Sequence, residues 1–468
     1  MTDIWANTAT ELAAMIAAKE LAASEVIEAH LARIEAVNPA TGALTSVLAE
    51  QARAEAAAAD SVEVSARGPL HGVPFTVKDQ FDVAGSATTM GVSAFAGAVV
   101  AVDAPVVAAV RRAGAIPIAK ANLPEFAVRW HTDNDLFGPT RNPWDATRSP
   151  GGSSGGDAVA VATGMTPLGL GGDYGGSLRI PAGYCGISSL RPTPGRVPLA
   201  SSLPGPAPTL TVQLFTSPGP LARTVADLTL MYDAMLGDDP RDPAWIPALD
   251  VPDGALHPVA VTTSGADPEV DPDVRAAVRR AADALADAGH PVVEVEPPLI
   301  GQISDAYARL LVTEVMTLQH EGIRALGGAD LITFVETLPE LFSPLDLAGY
   351  AHALAERLTL RRQWSAFLAQ YPIVLGPVSS RLPWPVGHDL GGAGNVRAMF
   401  TGHRLTVCAN YLALPAVAVP AGLSGSGLPI GVQLITAPFT ERRALAAASR
   451  VSERIGHHAP IDPRGTRA

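Results

Sequence analysis

Lysine is scarce: of 33 Lys plus Arg in the 468-residue chain, only Lys19, Lys78 and Lys120 are lysines. Positive charge therefore comes almost wholly from arginine, which does not release a proton near neutral pH as lysine can. A lysine inside an apolar stretch needs a reason of its own. Cysteine is scarce too. Cys185 and Cys408 lie in no CxxC or CxxH spacing, which excludes a disulfide framework and leaves both as small buried hydrophobes. No run of about 18 uncharged apolar residues occurs, and the N-terminal MTDIWANTATELAAM has no basic segment followed by an apolar one. The expectation is a soluble cytoplasmic protein with no membrane partner. Charged residues are only 17% against 47% hydrophobic, so the chain can build a core. A formal net charge of −13 argues against a nucleic-acid partner.

What the chain does have is glycine beside serine. Residues 149–181 read SPGGSSGGDAVAVATGMTPLGLGGDYGGSLRIP, two serine-bearing glycine clusters around one apolar segment. A flexible linker would not place Ala, Val, Leu and Met between the clusters. Glycine forfeits backbone entropy on ordering, so its repetition beside hydroxyls suggests a backbone that bends tightly or approaches a ligand.

Alternating elements surround this stretch. Ser24 can cap a helix that Asn38-Pro39 stops, and a second helix covers 49–59. Val73-Pro74-Phe75-Thr76-Val77-Lys78-Asp79 is an apolar run of strand length. A helix over 104–113, a strand over 116–119 and a short helix over 123–128 follow. After a loop over 130–150, the pattern predicts a helix behind Gly156, a strand over 167–170, proline-rich loop over 191–218, a helix over 222–236 and a polar excursion over 238–252. Residues 257–261, 271–288 and 291–295 form a β-α-β pattern on a shared sheet. Long helices over 306–325 and 351–369 suit a cap. Strands over 373–375, 416–419 and 430–434 and a helix over 442–455 close the chain. The fold class is α/β, a central mixed sheet surrounded by helices, with a variable helical region in the second half.

Several chemistries fail on motif. GxxxxGK[ST] is absent, and Gly169-Leu170-Gly171-Gly172-Asp173-Tyr174 breaks GxGxxG at its last position. The 11 histidines include no HExxH, and no metal or organic cofactor is expected. Gly151-Gly152-Ser153-Ser154-Gly155 formally matches the GxSxG nucleophile elbow. That elbow needs a strand just before its serine, and residues 145–150 are a polar loop ending in proline.

A lysine with two serines fits better. Serine attacks well only when a base takes its proton, and lysine serves only when neutral, a state that burial favours. Phe75 and Val77 supply apolar surroundings, and Asp79 points to the other side of the strand. Tyr174-Gly175-Gly176-Ser177 offers successive backbone N–H groups that suit an oxyanion hole. Each residue has a plainer reading: Lys78 as a surface charge, Ser153 as a turn serine, Ser177 as a helix cap. The joint pattern argues against all three.

At this point the sequence resembles the amidase signature family, serine hydrolases with a Ser-cisSer-Lys triad. The likeness runs from about Gly68 through Val197 and returns over 415–434 (PAVAVPAGLSGSGLPIGVQL). It implies a single amidase domain over 1–468, with signature region 68–200, variable helical region 238–400 and C-terminal return 404–456. By resemblance Lys78 is the base, Ser153 the bridging serine of a cis peptide and Ser177 the acyl-forming nucleophile. Asp173 and Arg179 resemble a structural pair beneath the oxyanion loop, and Ser154 a supporting hydroxyl near the substrate. Gly172 departs from the family's usual threonine, which puts the local hydrogen bonding in question. Phe126, Ala127, Val128, Trp130 and Leu136 are candidates for the pocket lining, Ala127 leaving room for an aryl group. The implied partner is a small amide, with carbamates and esters as alternatives and a homodimer as an assembly to test. The rival readings are a glutamine-hydrolysing component of a transamidation complex and a non-catalytic binding homologue.

Overall fold

The computed structural model describes residues 3–202, 207–247 and 253–465. Parts of the predicted 191–218 loop and 238–252 excursion therefore lie outside the described residues. One mixed sheet of eleven strands runs through what is described: β1 (Leu44–Val47), β2 (Pro74–Lys78), β3 (Ile116–Ala121), β4 (Leu168–Asp173), β5 (Ser188–Arg191), β6 (Ser217–Ala222), β7 (Val259–Val261), β8 (Val292–Glu294), β9 (Ile373–Pro377), β10 (Ala416–Leu423) and β11 (Pro429–Thr436). Their spatial order is β1-β3-β2-β4-β6-β5-β10-β11-β9-β7-β8. β2 is parallel to β3 and β4, β7 is parallel to β8 and β9, and antiparallel pairs fill the middle.

Side chains alternate between the two faces of a strand, and the sheet divides its apolar residues accordingly. Val417 and Val419 enter one core cluster, Ala416 and Ala418 another. The same alternation governs β2: Phe75 and Val77 enter the first core cluster, which leaves Thr76 and Lys78 on the opposite face. That face receives the helix Gly155–Ala162, whose residues are all buried. Strand pleat thus carries a lysine into the interior.

Several boundaries differ from the sequence expectation. Ser24 is no cap: the helix Ala23–Thr41 starts after Ala22, whose N–H donates to the Glu25 carboxylate at 2.8 Å, while Asp60 accepts from the amides of Ala23 and Ser24. Pro39 lies inside that helix, which ends at Gly42 with φ +60°. So close to the end the missing proline donor removes only one helical bond. Residues 123–128 hold only the 3-10 turn Glu125–Ala127, because Phe126 and Ala127 take φ +54° and +59°. Ala222 closes β6, and Thr224 caps a helix over Val225–Met235. β6 itself reads SPGPLA, an improbable strand on composition. Pro218 and Pro220 stand two apart, so both missing donors fall on one edge, and β5 pairs only with Leu221 and Ala222 beyond them. The predicted cap helices become Ile300–Glu314, a π-turn at Val315–Gln319, His320–Leu326 and Leu347–Gln370. Helices at Ala329–Leu341, Ala393–Gly402 and Arg404–Leu412 join them. Among the described residues no helix is long and apolar enough to cross a membrane.

Candidate active site

Lys78 ends β2 with its side chain fully buried, and its Nζ donates to Ser153 Oγ at 2.6 Å. Burial pushes the ammonium down to about 7, against the pull of the Asp157 and Asp173 carboxylates. Asp79, one residue on, turns away and faces Lys120 at 3.2 Å, as strand alternation requires.

The first glycine cluster is packed, not slack. The Gly152–Ser153 peptide is cis. A Cβ on Gly152 would stand 2.7 Å from the Arg129 carbonyl oxygen, and one on Gly156 2.6 Å from that of Asn122. Glycine is required because other backbone occupies the space of a side chain. No strand precedes Ser153, so the nucleophile-elbow setting is absent.

The second cluster follows β4. Asp173, at the strand end, accepts from the Gly176 N–H at 2.7 Å, the Leu178 N–H at 3.2 Å and Arg179 Nε at 3.0 Å. Arg179 Nη2 and Asn410 Nδ2 add two more donors, at 3.2 and 2.7 Å. Burial works to raise the Asp173 pKa, but Arg179 and then Arg191 outweigh it and hold this carboxyl well below the usual range. Arg179 reaches further, to the Thr406 carbonyl, Gln433 and Asn410. The loop after Asp173 is thereby fixed from beneath.

The Gly176 N–H is taken up by Asp173, so Gly176, expected to face the oxyanion, supports the loop instead, with φ +98°. Among the described residues no acceptor meets the N–H groups of Tyr174, Gly175 and Ser177. Ser154 likewise stands behind the wall: its N–H donates to the Ser177 carbonyl at 3.2 Å, and its hydroxyl bonds Gly172. It ties the two glycine clusters together and does not reach the cavity. The space left by Gly172 is taken by Gln80, whose Nε2 would stand 2.7 Å from an added Cβ.

Ser153 and Ser177 both line one cavity of about 830 Å³. Of the expected lining, Phe126, Ala127, Val128, Trp130, Tyr174 and Gly175 are present and Leu136 is not. Of the rest of its aromatic wall, Phe81 comes from the first half of the chain and Tyr307, Phe334 and Phe400 from the second. Trp130 packs on Phe400 with ring centroids 4.8 Å apart and donates from its indole to the Gly175 carbonyl at 2.8 Å. Sequence reasoning missed Asp157, Asn410, Gln433 and Glu314. Asp157 left a signal, a lone acid opening an apolar helix; Asn410 and Gln433 left none. Among the described residues no group of three or more His, Cys, Asp or Glu side chains is placed to hold a metal ion.

A broad mixed sheet whose loops converge on one deep cavity, with a buried amine beside serine, is the build of an α/β amidohydrolase. Comparison agrees: the chain belongs to the Amidase family, whose model matches residues 25–445. It is 38% identical over 459 residues to an indoleacetamide hydrolase of Bradyrhizobium diazoefficiens, covering 97% of this chain and 87% of that protein. It is 34% identical to a glutamyl-tRNA(Gln) amidotransferase subunit from an Anaeromyxobacter species, with 97% of each chain covered. Among solved structures, 6-aminohexanoate cyclic dimer hydrolase complexed with substrate superposes with a TM-score of 0.84 at 28% identity, covering 99% of both chains.

Proposed function

We propose that the protein hydrolyses aryl and small acyl amides through an acyl-enzyme on Ser177, with carbamates and esters of the same shape as further substrates. The observation that carries this reading is the 2.6 Å bond from Lys78 to Ser153, with Ser153 and Ser177 opening on the same cavity. Neutral Lys78 takes the proton of Ser153 as Ser153 takes that of Ser177, and Ser177 Oγ bonds the carbonyl carbon. The free amides of Tyr174, Gly175 and Ser177 receive the oxyanion. Collapse breaks the C–N bond, and the proton on Lys78 returns through Ser153 to the leaving amine. Water then adds to the acyl ester by the same relay and releases the acid.

The aromatic wall of Trp130, Tyr307, Phe334 and Phe400 favours a flat acyl group. The similarity to an indoleacetamide hydrolase supports the same choice. The rival reading, glutamine hydrolysis for a transamidation partner, draws on the 34% identity to a glutamyl-tRNA(Gln) amidotransferase component. A matched aryl amide, carbamate and ester, together with glutamine, are offered to the wild type and to Ser177→Ala. Release of the aryl products by the wild type alone is the expected result, and the rate order then ranks amide, carbamate and ester. Equal activity of Ser177→Ala overturns the nucleophile, and glutamine as the sole substrate transfers the case to the rival.

A further inference from the structure

A second ionisable group shares the buried layer that holds Lys78, and the mechanism leaves it unused. Asp157 sits in the first turn of the helix Gly155–Ala162, four residues after Ser153, and is wholly buried. Its Oδ1 accepts from Thr76 Oγ1 at 2.8 Å, while its Oδ2 is buried with no hydrogen-bond partner among the described residues. Thr76 and Lys78 are two apart on β2 and share the face that meets this helix.

A carboxylate enclosed with a single neutral donor is strongly disfavoured unless a cation or a proton neutralises it. Three elements bring charge to this layer. β3 brings Lys120, which is paired with Asp79 at 3.2 Å and donates to the Phe81 carbonyl at 2.5 Å. β4 brings Asp173, which Arg179 and Arg191 already balance. β2 brings Lys78, which among the described residues bonds only Ser153. Each other charge here has a counter-charge at ion-pair distance; Asp157 and Lys78 have none, and they face the same layer from helix and strand.

We infer that Asp157 is the electrostatic counterpart of Lys78: its carboxylate stabilises the ammonium across the layer they share, and so sets the pH below which the base is lost. Asp157 is then a positioning residue: it sets the pH at which Lys78 can act and touches no reacting atom. Burial pushes the Lys78 amine down and the Asp157 carboxyl up, and each charge pulls the other back towards its ionised form.

The inference rests on Lys78 being the base. Its test is the acid limb of kcat/KM for an aryl ester, measured with wild type, Asp157→Asn, Thr76→Val and the double variant. Removing the carboxylate withdraws the charge that favours the ammonium, so the limb of Asp157→Asn moves to lower pH by about one unit, the scale of one nearby charge. Thr76→Val, which removes the carboxylate's one donor, moves it the same way by less. The double variant matches Asp157→Asn alone. A limb that stays in place or moves to higher pH in both single variants overturns the inference. Because the readout is the position of the limb, a lower plateau caused by altered packing does not imitate it. Lys78→Ala and Ser177→Ala separate the two levels: if both are inactive while the limb of Asp157→Asn is unmoved, the coupling to Asp157 alone fails. If Lys78→Ala keeps full activity, the reading of the site fails with it.

Discussion

Lys78 is buried without an ion pair, whereas Lys120, one strand away, is buried against Asp79. Burial lowers both interior lysines, but the Asp79 carboxylate beside Lys120 works to keep that one charged. With Lys78 pushed down to about 7, kcat/KM for an amide should fall on the acid side with a midpoint close to pH 7. Lys78→Ala should lose about 10²–10⁴-fold in kcat, the usual scale for a lost general base. Lys78→Arg should be as poor, although it keeps the charge, because a guanidinium does not give up its proton. Single-turnover acylation of Ser177 across pH 5–9 reads both effects; substantial activity in Lys78→Arg would exclude proton transfer by this side chain.

At the scale of elements, the oxyanion loop is held from two sides. Asp173, Arg179 and Asn410 fix it from beneath. From the cavity side the Tyr174 hydroxyl meets Thr211 Oγ1 at 2.9 Å, and Glu314, on the cap helix Ile300–Glu314, accepts from Thr211 and from the Tyr350 hydroxyl. Glu314 therefore joins two cap helices to the helix Leu210–Phe215 and, through Tyr174, to the loop. Tyr174→Phe removes one neutral hydrogen bond, about 1 kcal/mol or roughly fivefold in kcat/KM. Glu314→Ala strands the Thr211 amide and the Tyr350 hydroxyl, and should cost about 2 kcal/mol, roughly thirtyfold. Steady-state kinetics on one aryl amide decides; wild-type values for both would reduce this network to surface decoration. None of it was legible in the sequence, since Thr211 and Glu314 stand far apart in the chain and neither belongs to a motif. Lys78 and the two serine loops were legible for physical reasons: lysine is rare here, β2 alternates cleanly, and repeated glycine marks backbone packed on backbone. Asn410 and Gln433 stayed hidden because only the sheet order, β5 beside β10 and β10 beside β11, returns the end of the chain to Arg179. The occupied Gly176 amide was equally out of reach, being decided by a carboxylate three residues earlier whose orientation no pattern encodes.

For the molecule as a whole, what the interior encloses sets its response to acid. His30, His131 and His403 are buried, each with one ring nitrogen bonded, to the Met165 carbonyl, Ser149 and Tyr184 respectively. The other ring nitrogen of each has no partner among the described residues. Burial holds all three below the ordinary imidazole value, His30 and His131 at about 4 and His403 at about 3. Folded values below the unfolded one of 6.5 mean that the unfolded chain binds more protons, so stability falls as pH drops from 6.5 towards 4. The Lys78–Asp157 pair opposes this by one proton: unfolded it holds one, on the lysine, and folded, with both groups brought to about 7, it takes up a second as pH falls to 5. Three losses against one gain leave a net uptake of about two protons on unfolding, or about 3 kcal/mol less stability at pH 5 than at pH 7. Denaturant unfolding at the two pH values measures the difference. His403→Gln, which removes one of the three titrating rings, should reduce the slope by about one proton. If the wild type is as stable at pH 5 as at pH 7, these histidines are not enclosed neutral in the folded state, and the layer around Tyr184 and Ser149 opens to water.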